Sequence, residues 1–224
     1  MLRLFDLFEN PIAFMSGLLY SMPAIILALM LHEVAHGYVA YLLGDPTAKV
    51  MGRLTLNPLK HLDPVGTFMM VFVGIGWARP VPVNPRNFKH YRRDDLLVSI
   101  AGVTVNFLLF VLSTVVLALL MLSGSADHGA WYMRFILTFM SVNAALCAFN
   151  LLPIPPLDGY HVVNDLFLKR ELFAPQMASQ IGMVVLIGLS VTGYLSRFLG
   201  FVVNGMYNGV WSATVRVFEL FGLI

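Results

Sequence analysis

Hydrophobic residues gather into four long runs, at about 12–43, 96–123, 132–152 and 180–196, separated by polar and proline-rich connections. A helix crosses a bilayer with about 20 apolar residues, so each run is read as a membrane-spanning helix. The last continues past Arg197 into an apolar tail, 198–224, carrying Arg216 and Glu219, which reads either as a further crossing or as a helix lying in the interface. The first is over-long for one straight span, and Pro23 is expected to kink or divide it. It lacks the basic start and small-residue cleavage site of a signal peptide, so it is expected to stay in the mature protein.

A shorter run, "VGTFMMVFVGIGWA" from Val65 to Ala78, has 14 residues and is studded with glycine, which suits a re-entrant or surface-lying segment better than a span. Before it, Leu54 and Leu56 alternate with polar residues, predicting a short strand at 51–56. After it, "ARPVPVNPRNF" alternates valine with proline, which confines it to an edge strand or an extended path. The expected fold is an all-α polytopic membrane protein of about 4–6 transmembrane helices with a small membrane-associated β-hairpin or re-entrant segment at about 50–85. One membrane-embedded domain over 1–224 is expected, with its core at 12–165 and C-terminal helices at 180–224.

Loop charge sets an expected orientation. Lys49, Arg53, Lys60, Arg79, Arg86, Lys89, Arg92 and Arg93 crowd the connection at 44–95, the loop at 124–131 has no Lys or Arg, and Lys169 and Arg170 follow the third run. The positive-inside rule then places the N-terminus outside and the long loop in the cytoplasm. Composition agrees with a membrane setting, since 58% of the 224 residues are hydrophobic, 12% are charged, and mean hydropathy is +0.80. The net charge of +2 comes with no long basic run, so nucleic acid is not an expected partner. One cysteine, Cys147, excludes an intramolecular disulfide and a cysteine metal cluster.

The polar exceptions inside the apolar runs carry the chemistry. In "ALMLHEVAHGYVAYLLGD", His32 and His36 stand four apart and share one helix face, where two imidazoles can meet at one metal ion. Glu33 projects beside them, placed to reach a water without being a ligand. A polar seam satisfied by neighbouring helices is the plainer reading, but burying Glu33 in a membrane costs roughly 2.5 kcal/mol or more, so an ionisable group there points to function. A hydrolytic zinc wants a third protein ligand. Asp158, in the proline-broken "NLLPIPPLDGYHV", is the best candidate, against an ordinary Asp-Gly turn or helix cap. In the expected topology both segments meet near the cytoplasmic face, provided that the run at 65–78 does not cross. His61, His90 and His128 are expected to be solvated, His161 to be interfacial, and "YRRDDLL" to start a helix.

With "HEVAHG" and "NLLPIPPLDG" in hand, the chain resembles the site-2 protease family of intramembrane zinc metalloproteases, peptidase family M50, which pairs an H-E-x-x-H helix with an Asp-Gly motif near the end of a later one. "IAGVTVNFLLF" is similar to a further family pattern through Gly102 and Asn106, with Val103 where proline is usual. The resemblance covers about residues 12–165. It implies that His32, His36 and Asp158 bind one Zn2+ per chain and that Glu33 is the general base. It further suggests Asn150, and with less weight Asn106, as substrate-binding residues. The implied function is hydrolysis of peptide bonds within or near transmembrane segments, with a transmembrane protein or peptide as substrate and membrane lipid as surroundings. The implied place is a prokaryotic cell membrane with the active site toward the cytoplasm. Loop lengths suggest a minimal member without PDZ or CBS domain. Two other readings are a non-catalytic zinc-binding protein or metal carrier, for which Glu33 has no use, and a transporter with a proton relay, which lacks paired broken helices here.

Overall fold

The structure, a computed structural model, describes residues 9–72, 76–127, 129–168 and 174–223. His128, Lys169, Arg170 and the middle of the Val65–Ala78 run lie outside the described residues. Among the described residues eight α-helices follow in order: α1 Pro11–Leu42, α2 Thr47–Val50, α3 Pro64–Phe72, α4 Tyr91–Leu122, α5 Trp131–Asn150, α6 Asp158–Val163, α7 Pro175–Val191 and α8 Tyr194–Leu220. Three of them, α1, α4 and α5, are long and apolar enough to cross a membrane. Helices α7 and α8 bend by 83° at Gly193, whose φ of 76° only glycine adopts readily, and together they pass as a fourth, broken span. The described residues thus offer three or four candidate spans, against about 4–6 expected. The protein is an all-α membrane protein.

Pro23 does not divide the first helix: α1 runs through it for 32 residues, about 48 Å of helix. Neighbouring helices make a proline tolerable inside a membrane segment. Helices α1, α4 and α5 touch pairwise. Small residues make the close approach possible, with Ala24, Ala28, Ala144 and Ala148 buried at the interfaces. Between α4 and α5, Phe110, Leu117, Met133 and Met140 form a core against which Val203, Met206 and Tyr207 of α8 pack. The tail therefore belongs to the bundle.

The expected strand at 51–56 is not formed. Its residues make turns and bends after Gly52, which has a φ of 63°, and no strand occurs among the described residues. A chain that turns there and stops at Asn57-Pro58 offers too short an edge to pair. In place of a hairpin, a lone antiparallel bridge joins Leu62 to Ala78, and the Arg79 N–H donates to the His61 carbonyl at 2.8 Å. The two ends of the 65–78 run are thus side by side. Between them α3 has nine residues, about 13 Å of helix against roughly 30 Å of hydrocarbon. A helix of that length does not cross a bilayer.

Helix α4 begins where "YRRDDLL" predicts, with Asp94 accepting from the His90 N–H at 2.9 Å, at the positive end of the helix dipole. His61 departs from expectation: it is 2% exposed, its Nε2 against the Thr55 carbonyl at 2.9 Å, because the return of residues 78–79 covers it.

Candidate metal centre

Helix α1 presents His32 and His36 from consecutive turns into the bundle, both buried. Helix α4 receives them at Gly102. A Cβ built there would lie 2.4 Å from His36 Nε2 and 2.6 Å from His32 Cε1, so only glycine lets α4 approach the imidazoles this closely. Asp158 arrives from the far side as the first residue of α6, just beyond the Pro153–Leu157 turn. Its neighbour Gly159 lies so near the Leu151 and Leu152 carbonyls, 2.4 and 2.5 Å from a built Cβ, that a side chain would push the turn open.

Three atoms converge. The Nε2 atoms of His32 and His36 are 3.0 Å apart, and each is 3.3 Å from Asp158 Oδ2. A tetrahedral ion bonded at about 2.0–2.1 Å would hold its ligands roughly 3.3 Å from one another, so the triangle has zinc dimensions. They are the one metal-capable trio among the described residues.

The hydrogen bonds behind the imidazoles fix what these atoms offer. Asn143 Nδ2 donates to the Phe139 carbonyl at 2.8 Å, so Asn143 Oδ1 accepts from Asn106 Nδ2, also at 2.8 Å. Asn106 Oδ1 is left to accept, and the His32 Nδ1–H donates to it at 2.5 Å. The His36 Nδ1–H donates to the Val98 carbonyl at 2.7 Å. Both Nε2 atoms therefore carry lone pairs, which face each other and a carboxylate oxygen with no hydrogen-bond partner of its own. Three buried lone pairs in contact repel unless a cation lies among them. A proton joins only two of the three; a dication joins all three, so the residues fit the zinc that the motif implies.

Glu33 is half-buried, and its Oε2 accepts from the Val81 N–H at 2.7 Å. Val81 stands between Pro80 and Pro82 in the extended 79–83 strap, which rests on α1 where Gly37 has no side chain; a Cβ there would meet Val81 Cγ1 at 2.7 Å. Arg53 secures the strap by donating to the Arg79 carbonyl at 2.6 Å. Asp45, fully buried, accepts from the Asn84 N–H at 2.7 Å and Asn87 Nδ2 at 2.6 Å. Burial opposes the Asp45 charge, but hydrogen bonds from Thr47, Asn84 and Asn87 outweigh it and hold the carboxyl below its ordinary range.

Asn106 is brought to the centre as the partner of His32, both ends of its amide engaged inside the bundle. Asn150 sits half-buried at the end of α5 and donates to the Leu146 carbonyl at 3.1 Å. Beside the centre, His161 Nδ1 lies 3.2 Å from Asp95 Oδ2, and this contact raises the His161 pKa against its burial. Burial, then the nearby Asp95, push Asp165 up to about 6. The backbone groups of Val81 and Val98 carry no sequence signal. Asn143 carries one, as a polar residue two turns before Asn150 in an apolar run.

The sequence profile of peptidase family M50 matches residues 119–190, which take in α5, the Asp158 turn and α7 but not the α1 histidines. A Bacillus subtilis protein named as a candidate zinc metalloprotease, YwhC, is 39% identical over 203 residues, 89% of this chain and 93% of its own. Two mycobacterial proteins named as candidate zinc metalloproteases, both Rip2, are similar. The one from Mycolicibacterium smegmatis is 29% identical over 195 residues, 84% of this chain and 73% of its own. The one from Mycobacterium tuberculosis is 31% identical over 208 residues, 90% and 74%. No solved structure matches. With a relative 39% identical over most of both chains and a buried His-His-Asp triangle of zinc dimensions, the chain belongs to peptidase family M50.

Proposed function

We propose that this protein is a zinc metalloendopeptidase that cleaves peptide bonds within or beside transmembrane segments of membrane proteins, the whole chain acting as one membrane-embedded peptidase domain. The observation that carries this reading is the lone-pair triangle of His32 Nε2, His36 Nε2 and Asp158 Oδ2 at 3.0–3.3 Å. These three residues hold one zinc per chain. Zinc bound there supplies Lewis acidity, polarising the scissile carbonyl and lowering the pKa of water toward about 7.

Glu33 is the general base. Its carboxylate, steadied by the Val81 N–H, takes a proton from the attacking water and returns it to the departing amine. Asn150 holds the substrate carbonyl with the amide that donates to Leu146. Asn106 serves through His32, keeping the ring turned so that Nε2 faces the centre, and does not touch the substrate. The substrate has to arrive locally unwound, since the carbonyls of an intact helix are spent on its own hydrogen bonds.

A non-catalytic zinc binder would use the same triangle, and Glu33 separates the two. Glu33→Gln is expected to keep zinc and lose cleavage of a transmembrane substrate in reconstituted vesicles; cleavage at the wild-type rate would end the protease mechanism proposed. The site faces the cytoplasm of a bacterial cell in this reading, supported by the cations at 44–95 and the return of the chain at Leu62 and Ala78. Single cysteines at Lys60 and Lys89 should be labelled from the same, cytoplasmic side, and labelling from opposite sides would sink this topology.

A further inference from the structure

In the segment 44–95 the charges are sorted by sign. Three of its four carboxylates are buried: Asp45 at 0% exposure, Asp94 at 2% and Asp95 at 8%. The fourth, Asp63, is half-buried and accepts from the Gly66 N–H at 2.7 Å. Each is turned inward to serve a hydrogen bond of the fold: Asp45 the 84–87 turn, Asp94 the start of α4, Asp95 the ring of His161. All the cations but one do the opposite, the exception being Arg53, 7% exposed, whose guanidinium donates to the Arg79 carbonyl. Lys49, Lys60, Arg79, Arg86, Lys89 and Arg93 all stand exposed, and no carboxylate of the segment is exposed with them. The far end of the bundle reverses this, its 124–131 connection having an exposed Asp127 and no Lys or Arg.

Large apolar side chains are exposed among these cations: Val50 at 80%, Met51 at 61%, Leu56 at 65%, Leu59 at 76% and Trp77 at 48%. A face of cations alone would suit cytosol or an acidic protein. A face mixing cations with aliphatic and indole groups suits the headgroup boundary of a bilayer, where the apolar parts reach the acyl chains and the cations meet phosphates. The face is continuous with membrane-facing surface, because the segment joins the end of α1 to the start of α4.

We infer that the 44–95 segment is a seat for anionic lipid headgroups, which draw it onto the membrane surface beside the metal centre. The acidic residues that the fold needs are buried or, for Asp63, half-buried, so no exposed carboxylate opposes this contact. The strap at 79–83, which carries the Val81 N–H to Glu33, lies within the seat, so lipid charge bears on how firmly the strap is held. The inference depends on the membrane setting and not on the proposed reaction.

The test uses the full chain with Trp77 as its sole tryptophan (Trp131→Phe, Trp211→Phe), reconstituted in phosphatidylcholine vesicles with or without an equal share of phosphatidylglycerol. Lipids brominated near the headgroup report how deeply Trp77 sits. Phosphatidylglycerol is expected to increase Trp77 quenching. Lys60→Glu/Arg86→Glu/Lys89→Glu is expected to cut the preference for the anionic lipid at least about tenfold, since each cation near the surface contributes a separate attraction. Unchanged zinc binding shows that the triple variant still folds. High salt applied to the unsubstituted segment should weaken the preference in the same way, which keeps the test open if the variant fails to fold. Quenching that is equal in the two lipids, or indifferent to both salt and the triple variant, overturns the inference. So does saturable binding of poly-glutamate, lost in the variant, with no lipid effect, which would assign the face to an acidic protein segment.

Discussion

Gly102→Ala tests the metal centre without touching a ligand. A methyl at residue 102 would stand 2.4 Å from His36 Nε2 and 2.6 and 2.7 Å from Cε1 and Nδ1 of His32. Ordinary contact between such atoms begins at about 3.5 Å, so the overlap is about 1 Å. The rings have little room to yield, because His32 is held by Asn106 and His36 by the Val98 carbonyl. Either they shift by about 1 Å or α4 backs away. Relief of this kind in a packed core typically costs about 1–3 kcal/mol of stability. A metal site tolerates ligand displacements of about 0.2 Å, so the loss in zinc affinity should be far larger in proportion. We expect Kd for zinc to rise at least about 100-fold, or about 2.7 kcal/mol. Chelator competition on the purified protein in micelles measures it, with thermal unfolding of the zinc-free protein separating lost affinity from lost fold. A variant that unfolds like the wild type without metal and binds zinc with wild-type Kd would refute the close approach of α4 and the site built on it.

Two further outcomes follow from the structure. In the folded protein Asp165 holds its proton up to about pH 6, against about 3.9 when unfolded, so between these values the folded state binds the extra proton and stability declines as pH rises. Asp165→Asn removes this loss; the melting-temperature gap to the wild type should be near zero at pH 4 and widen in the variant's favour by pH 7, and a gap independent of pH would contradict it. Gly182 of α7 lies against the turn that carries Asp158, where a Cβ would fall 1.7 Å from the Pro155 carbonyl oxygen. Gly182→Ala should therefore lower zinc affinity roughly tenfold or more from outside the site, and an unchanged Kd would show that α7 does not position that turn.

The long runs at 12–43, 96–123 and 132–152 were legible as spans because burial in lipid demands an apolar residue at nearly every position, a pattern that local composition cannot hide. His32, Glu33 and His36 were legible for the complementary reason, that ionisable groups in such a run are costly and helical spacing puts two of them on one face. Asp158 could be nominated by its place after a span, and the exclusion of a crossing at 65–78 followed from requiring it to meet the histidines. In the structure Leu62, just before that run, and Ala78, at its end, lie bridged to each other.

What the sequence misread was short and decided at a distance. Leu54 and Leu56 alternate like a strand, yet a strand needs a partner edge, and the chain supplies none among the described residues. His61 looked like a loop histidine until the return of residues 78–79 covered it. The features that tune the site belong to the same class. The tautomer of His32 is set by a chain of amides from Asn106 through Asn143 to the Phe139 carbonyl, and that of His36 by the Val98 carbonyl. Glu33 is held by the N–H of a residue 48 positions away. Such contacts depend on how helices approach one another, and Gly102 allows an approach that no spacing rule could foresee. The sequence by itself determined which residues are able to bind a metal in a membrane; only the tertiary structure decided that their lone pairs meet at one point.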